Sequence, residues 1–113
     1  MHEMSLCESV VEILAEEARR QGFQRVKTVW LEIGRLASAD PEAIRFCFDA
    51  VTRATVADGA RLEIIDTPGQ AWCERCAVTV EIKQRFDACP VCGDFPLRVI
   101  DGDALRVKQL EVE

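Results

Sequence analysis

The chain has 113 residues, with 49% apolar and 30% charged side chains and a formal charge of −6. That length supports one ordinary domain, or one small domain plus a metal-stapled miniature. The acidity argues against a phosphate-backbone binder, which needs clustered Lys and Arg, and no apolar run approaches the roughly 20 residues that span a bilayer. The start, Met1-His2-Glu3-Met4, turns acidic at once and lacks the basic stretch of a secretion signal. A cytoplasmic protein with reduced thiols is the expectation.

Residues 5–21 read as a helix. Ser5 is a candidate cap with Glu8 three residues on, as in a capping box. Leu6, Val10, Ile13 and Leu14 form an apolar stripe, and Gly22 after Arg19-Arg20-Gln21 suits a left-handed stop. The acidic stretch from Glu12 to Glu17 reads as a solvated helix face. Residues 25–33 read as a strand with Val29, Leu31 and Ile33 on one face, Thr28 and Glu32 on the other, and Trp30 half covered. Gly34 ends it. A second helix starts at Asp40-Pro41-Glu42, which supplies an N-cap, a proline for the first turn and an acid for the positive end of the dipole. Ile44, Cys47, Phe48 and Val51 line one side, with the helix fading near Thr55. Core packing is the reading for Cys47, and less firmly for Cys7. Arg61 to Asp66 is a second strand, and the strand–helix–strand order predicts a parallel pair. Thr67-Pro68-Gly69 reads as a hinge.

From about residue 70 the character changes. Cys73-Glu74-Arg75-Cys76 and Cys89-Pro90-Val91-Cys92 are two C-x-x-C turns separated by twelve residues. Each can set two sulfurs on one ion, and together they close a tetrahedron. Pro90 stiffens the second turn, and Gly93 permits the positive φ that lets backbone N–H groups approach sulfur. Short β-like pieces such as Val78 to Ile82 are too small to fold by apolar burial alone, so the metal supplies much of the folding free energy. Zinc fits a closed four-sulfur site in a structural role; iron is the competing occupant. Four thiolates on one zinc would take the net charge to about −8. Trp72 either shields the cluster or packs under it. Disulfides are disfavoured.

A last strand runs from about 104 to 111, and its pattern has a fault. Leu105 and Val107 share one parity, Leu110 and Val112 the other, so a bulge near Gln109 or a frayed end is required. This strand returns to the first sheet. The fold class predicted is α+β, with two helices on a small three-stranded mixed sheet and an inserted zinc-ribbon-like domain. The boundaries are 1–68 plus 101–113 for the first domain and 69–100 for the second.

His2 is the only histidine. A histidine beside a chain end is ordinarily just exposed, yet its chemistry permits more. The Met1 amine, the His2 backbone nitrogen and imidazole, and the Glu3 backbone nitrogen can form a planar set of the kind that nickel(II) and copper(II) favour. Because those nitrogens must lose protons, such binding weakens in acid.

Met1-His2-Glu3 before an amphipathic helix, with two C-x-x-C pairs twelve residues apart in the C-terminal half, resembles the HypA/HybF family of nickel metallochaperones for [NiFe]-hydrogenase assembly. The Asp40-Pro41-Glu42 helix start, Gly34 and the Cys-Pro-Val-Cys-Gly knuckle fit the same resemblance. It implies nickel at His2 with Met1 and Glu3, and structural zinc at Cys73, Cys76, Cys89 and Cys92. It also implies a HypB-type GTPase partner and delivery to the hydrogenase large subunit, with urease maturation as a further client in some relatives. The extra histidines that some relatives carry near the zinc module are missing from this chain. The rival readings are a zinc-ribbon adaptor for nucleic acid or protein and a rubredoxin-like iron carrier. An enzyme is the weakest class, since no nucleophile–base pair or open catalytic metal position is evident.

Overall fold

A computed structural model describes residues 3–113. In chain order the elements are α1 (Glu3–Gln21), β1 (Val26–Gly34), α2 (Pro41–Val51), β2 (Arg61–Thr67), β3 (Gly69–Cys73), β4 (Val78–Ile82), β5 (Arg98–Asp101) and β6 (Leu105–Val112). They form two three-stranded sheets, ordered β2-β1-β6 and β4-β3-β5. The first is mixed. The Glu113 amide donates to Arg25 O at one end of β1, and the Gly34 amide to Ala104 O at the other, so β6 runs antiparallel to β1. The Arg35 amide donates to Thr67 O, which joins the carboxyl ends of β1 and β2 as a parallel pair requires. None of the helices described is long and apolar enough to cross a membrane.

The chain divides into two compact units. One comprises the residues through Leu31 with Ala39–Ile65 and Arg106–Glu113; the other comprises Glu32–Ser38 and Asp66–Leu105. In the first unit α1 packs on α2. The buried stripe of α1 is Cys7, Val10, Leu14 and Ala18, rotated from the predicted Leu6, Val10, Ile13 and Leu14. Ile13 is 48% exposed, because the helix turns Cys7, not Leu6, toward α2, where its Sγ reaches Ile44 O at 3.4 Å. Ser5 is interior to the helix, which is already formed at Glu3, so the expected cap at Ser5 is not made. Gly22 closes the helix as expected, at φ +81 with its amide on Ala18 O.

Asp40 caps α2 as the sequence indicates, its Oδ1 accepting from the Glu42 amide at 3.0 Å. The helix ends at Val51, earlier than Thr55, with Thr52 as its C-cap: the Thr52 amide and hydroxyl both donate to Phe48 O, at 3.1 and 2.7 Å. Ile44 and Phe48 are buried, whereas Cys47 is only half buried and Cys7 fully so, reversing the expected order of the two. Central β1 is covered on both faces. Val29 and Leu31 are buried as predicted, and Thr28 is buried too, its hydroxyl donating to Glu111 Oε1 at 2.7 Å. Along the edge strand β6 the alternation slips by one at Lys108 and Gln109, both exposed, so Val107 and Leu110 are each half buried.

In the second unit β3 pairs antiparallel with β4, from Gly69↔Ile82 to Cys73↔Val78, and with β5 across a register shift at Gln70/Ala71. Its core is Leu36, Ala71, Cys73, Val80, Ile82 and Cys89. Leu36 joins it from the turn after β1, where its amide donates to Gly102 O at 2.8 Å. At Thr67-Pro68-Gly69 the backbone segments approach closely. Pro68 alone separates β2 from β3, and Gly69 is buried at the head of β3. A Cβ on Gly102, at φ +82, would lie 2.2 Å from Pro68 O; a Cβ on Gly34 would lie 2.2 Å from Gly102 O. Only glycine lets three backbone segments meet so closely.

Candidate metal centre

Two related knuckles bring the four sulfurs together. The first follows β3: the Ala77 amide donates to Cys73 O at 2.8 Å, and the Cys76 amide points at Cys73 Sγ at 3.4 Å. The second shares the carbonyl contact, with the Gly93 amide on Cys89 O at 2.8 Å, but its 3.4 Å contact to sulfur comes one position earlier, from the Val91 amide to Cys89 Sγ. The residue after each second cysteine is left-handed, Ala77 at φ 56 and Gly93 at φ 78. The expectation for Gly93 is met. The equivalent role of Ala77 has no signature in the sequence, because alanine rarely adopts that conformation. The Cys89 amide donates to Asp94 O at 2.9 Å and closes the second knuckle.

All four Sγ atoms lie within 4.8 Å of one another. The Cys73–Cys92 separation is 3.6 Å and the Cys76–Cys89 separation 4.0 Å. A tetrahedral ion with bonds of about 2.3 Å to sulfur sets an edge of about 3.8 Å. The thiols are therefore spaced as ligands of one ion, not as disulfides, whose sulfurs are bonded at about 2.0 Å. Cys73 and Cys89 are buried, while Cys76 and Cys92 are half buried. Trp72 stands on the opposite face of β3 from Cys73, so it does not lie over the cluster from that strand.

The environment of the four thiols is uneven. The Cys92 amide, with help from the Val91 amide, holds the Cys89 thiol down to about 7, against the opposing effect of burial. The Cys76 thiol is pushed up to about 12 by its hydrogen bond to the Cys92 thiol and by burial. At Cys73 the Cys76 amide pulls downward, but burial and the neighbouring thiols outweigh it and the thiol titrates above the usual range. Crowded thiols resist ionising together, and a cation that displaces their protons removes the conflict. Every ligand position of such an ion is occupied by sulfur, which leaves no open position for a reacting water.

The structure brings Cys73, Cys76, Cys89 and Cys92 into one cluster. Of the predicted N-terminal ligands, Met1 and His2 lie outside the described residues. Glu3 is the first residue of α1, and its Oε2 accepts from the Asp40 amide at 3.2 Å. Sequence reasoning missed Leu36, which packs in the core that contains the cysteines although more than thirty residues separate it from Cys73 in the chain. Only the glycines Gly34 and Gly102, beside the turn that delivers Leu36, offered any signal.

Comparison with known proteins agrees in one direction. A family model described as "Hydrogenase/urease nickel incorporation, metallochaperone, hypA" matches residues 1–112. The chain is 59% identical over 113 residues to the hydrogenase maturation factor HypA of Azotobacter chroococcum mcd 1, and 58% identical to that of Rhodopseudomonas palustris strain BisA53; each match covers 100% of both chains. Among solved structures, the fold is similar to that of the Ni metallochaperone HypA from Helicobacter pylori in solution. The TM-score is 0.77 at 22% identity, with 99% of this chain and 97% of that one covered. These relatives are named as maturation factors and metallochaperones, not as enzymes.

Proposed function

This chain belongs to the HypA family of hydrogenase/urease nickel-incorporation metallochaperones, and we propose that it carries Ni(II) at Met1, His2 and Glu3 while Cys73, Cys76, Cys89 and Cys92 hold a permanent zinc. The observation that carries this reading is the full-length family match of a chain whose sole imidazole stands at position 2. Sulfur spacing near that of a tetrahedral zinc supports the second half of it. Zinc, when bound, supplies rigidity, joining two knuckles whose own apolar core is small.

Nickel is the cargo. Nitrogen donors at a chain end suit Ni(II), and such a set can be dismantled one ligand at a time by a receiving protein. Glu3 begins a helix whose first turn is tied to α2 through the Asp40 amide, which gives the front of the chain a fixed base. In this reading residues 1–68 plus 101–113 form the nickel-carrying domain and 69–100 the zinc domain. The protein works in the cytoplasm with a HypB-type GTPase and hands nickel to the [NiFe]-hydrogenase large subunit, with urease maturation as a second outlet.

Nickel titration of tag-free, zinc-loaded protein with its native start tests the assignment. The parent is expected to take up nickel. His2→Ala is expected to abolish that uptake with zinc content unchanged. Undiminished nickel affinity in His2→Ala would remove the site.

A further inference from the structure

The four clustered sulfurs divide into an inner and an outer pair, and two separate features draw the same line. Burial is the first. Cys73 is 0% exposed and Cys89 3%, both within the core that holds Leu36, Ala71, Val80 and Ile82, whereas Cys76 and Cys92 are half buried at its margin. The outer two stand beside exposed knuckle residues, Arg75 and Ala77 at one, Val91 and Gly93 at the other. Hydrogen bonding is the second feature. The Cys76 and Arg75 amides face Cys73 Sγ, and the Cys92 and Val91 amides face Cys89 Sγ. Among the described residues, the sulfurs of Cys76 and Cys92 have only other thiols as hydrogen-bond partners.

Holding an ion makes thiolates of all four sulfurs, so the fraction ionised no longer separates them. Access and intrinsic nucleophilicity do. An amide that donates to a thiolate stabilises its charge, and a thiolate so stabilised is a poorer nucleophile. The inner pair is therefore shielded twice, by apolar packing and by amides. The outer pair lacks the amides and has the more open sulfur.

We propose that Cys76 and Cys92 are a modification site, the two ligands through which hydrogen peroxide opens the metal centre. The outer thiolate attacks one peroxide oxygen; the S–O bond forms, the O–O bond breaks and hydroxide leaves, giving a sulfenic acid. An inner thiolate then attacks that sulfur. Cys73 Sγ lies 3.6 Å from Cys92 Sγ, and Cys89 Sγ 4.0 Å from Cys76 Sγ. The S–S bond forms, the S–O bond breaks and a second hydroxide leaves. Two electrons have passed from the sulfurs to the peroxide. The cluster keeps two of its four donors, too few for a closed structural site, and the second unit loses the support of its small core.

The test is addition of hydrogen peroxide to full-length, zinc-loaded protein in the presence of dimedone, which traps sulfenic acid. Peptide mass spectrometry locates the trapped sulfur, and a chromogenic indicator follows zinc entering solution. Early label is expected to favour Cys76 and Cys92 over Cys73 and Cys89 by about tenfold, with zinc release tracking it. Cys47→Ser removes the half-buried thiol outside the cluster and is expected to leave both readouts at the parent value. Label spread evenly over the four ligands, or led by Cys73 and Cys89, would overturn the proposal. So would zinc that stays bound in labelled protein, or release that disappears in Cys47→Ser. The inference rests on the zinc reading above, whose own failure looks different: a parent that contains no zinc before peroxide is added would remove both.

Discussion

Six cysteines of one chemical type meet opposite fates according to what surrounds each sulfur. Cys7 is 1% exposed, and burial, with lesser effects from Cys47 and Glu3, pushes its thiol up to about 11 from 9.0. The folded state therefore holds this proton more tightly than the unfolded one. That contribution to stability is complete below pH 9.0 and is lost as pH rises through about 11. Thermal unfolding followed from pH 8 upward is expected to show an alkaline decline that is shallower in Cys7→Ala. Alkylation of Cys7 is expected only on unfolding, because at pH 8 about one thiol in a thousand would be ionised. Asp40 combines two roles that substitution separates. Its carboxylate caps α2 and its backbone amide serves Glu3. Asp40→Ala removes only the first, so chemical denaturation should show a loss of about 1 kcal/mol while nickel titration stays at the parent value. Asp40→Asn should be close to neutral in both.

At the scale of elements, the strand ends and their glycines organise the metal-bearing unit. Gly22 and Gly102 both have positive φ, yet they are not equivalent. Nothing lies within 4 Å of a Cβ on Gly22, whereas one on Gly102 would meet Pro68 O at 2.2 Å and Gly69 Cα at 2.7 Å. Gly22→Ala is expected to cost about 1 kcal/mol, the left-handed penalty alone. Gly102→Ala should cost about 3 kcal/mol or more, because backbone must move as well. Equilibrium unfolding in urea would rank them; equal losses would contradict the close approach. β3 is the element whose prediction failed most fully. It reads as a hinge and the start of a loop because Pro68 and Gly69 are turn formers, and its remaining residues, Gln70 to Cys73, are too few to display an alternation. The antiparallel partners Val78–Ile82 and Arg98–Asp101 make it a strand.

Across the whole molecule, two different physical supports hold the fold. The first unit buries Val10, Leu14, Val26, Val29, Leu31 and Ile44 almost completely, an apolar core in the ordinary sense. The second has Leu36, Ala71, Val80 and Ile82 around its cysteines, and that is a small core for the backbone it must order. Stripping the metal with a chelator under reducing conditions is accordingly expected to abolish amide-exchange protection in β3, β4 and β5 while α1, α2 and the first part of β1 stay protected. Uniform loss across both units would show instead that the two supports are one. The cysteine spacing, the Asp40-Pro41-Glu42 cap, the Gly22 stop and the Val29-Leu31-Ile33 face were all written in the sequence, because each depends on residues a few positions apart. So was the composition that sets metal chemistry at the cysteines. Tertiary structure alone decided that Cys7 is deeper than Cys47, that Leu36 joins the metal unit and that Pro68–Gly69 is clasped by Gly34 and Gly102. Those outcomes hang on contacts between segments tens of residues apart, where local periodicity carries no information about which backbone will arrive.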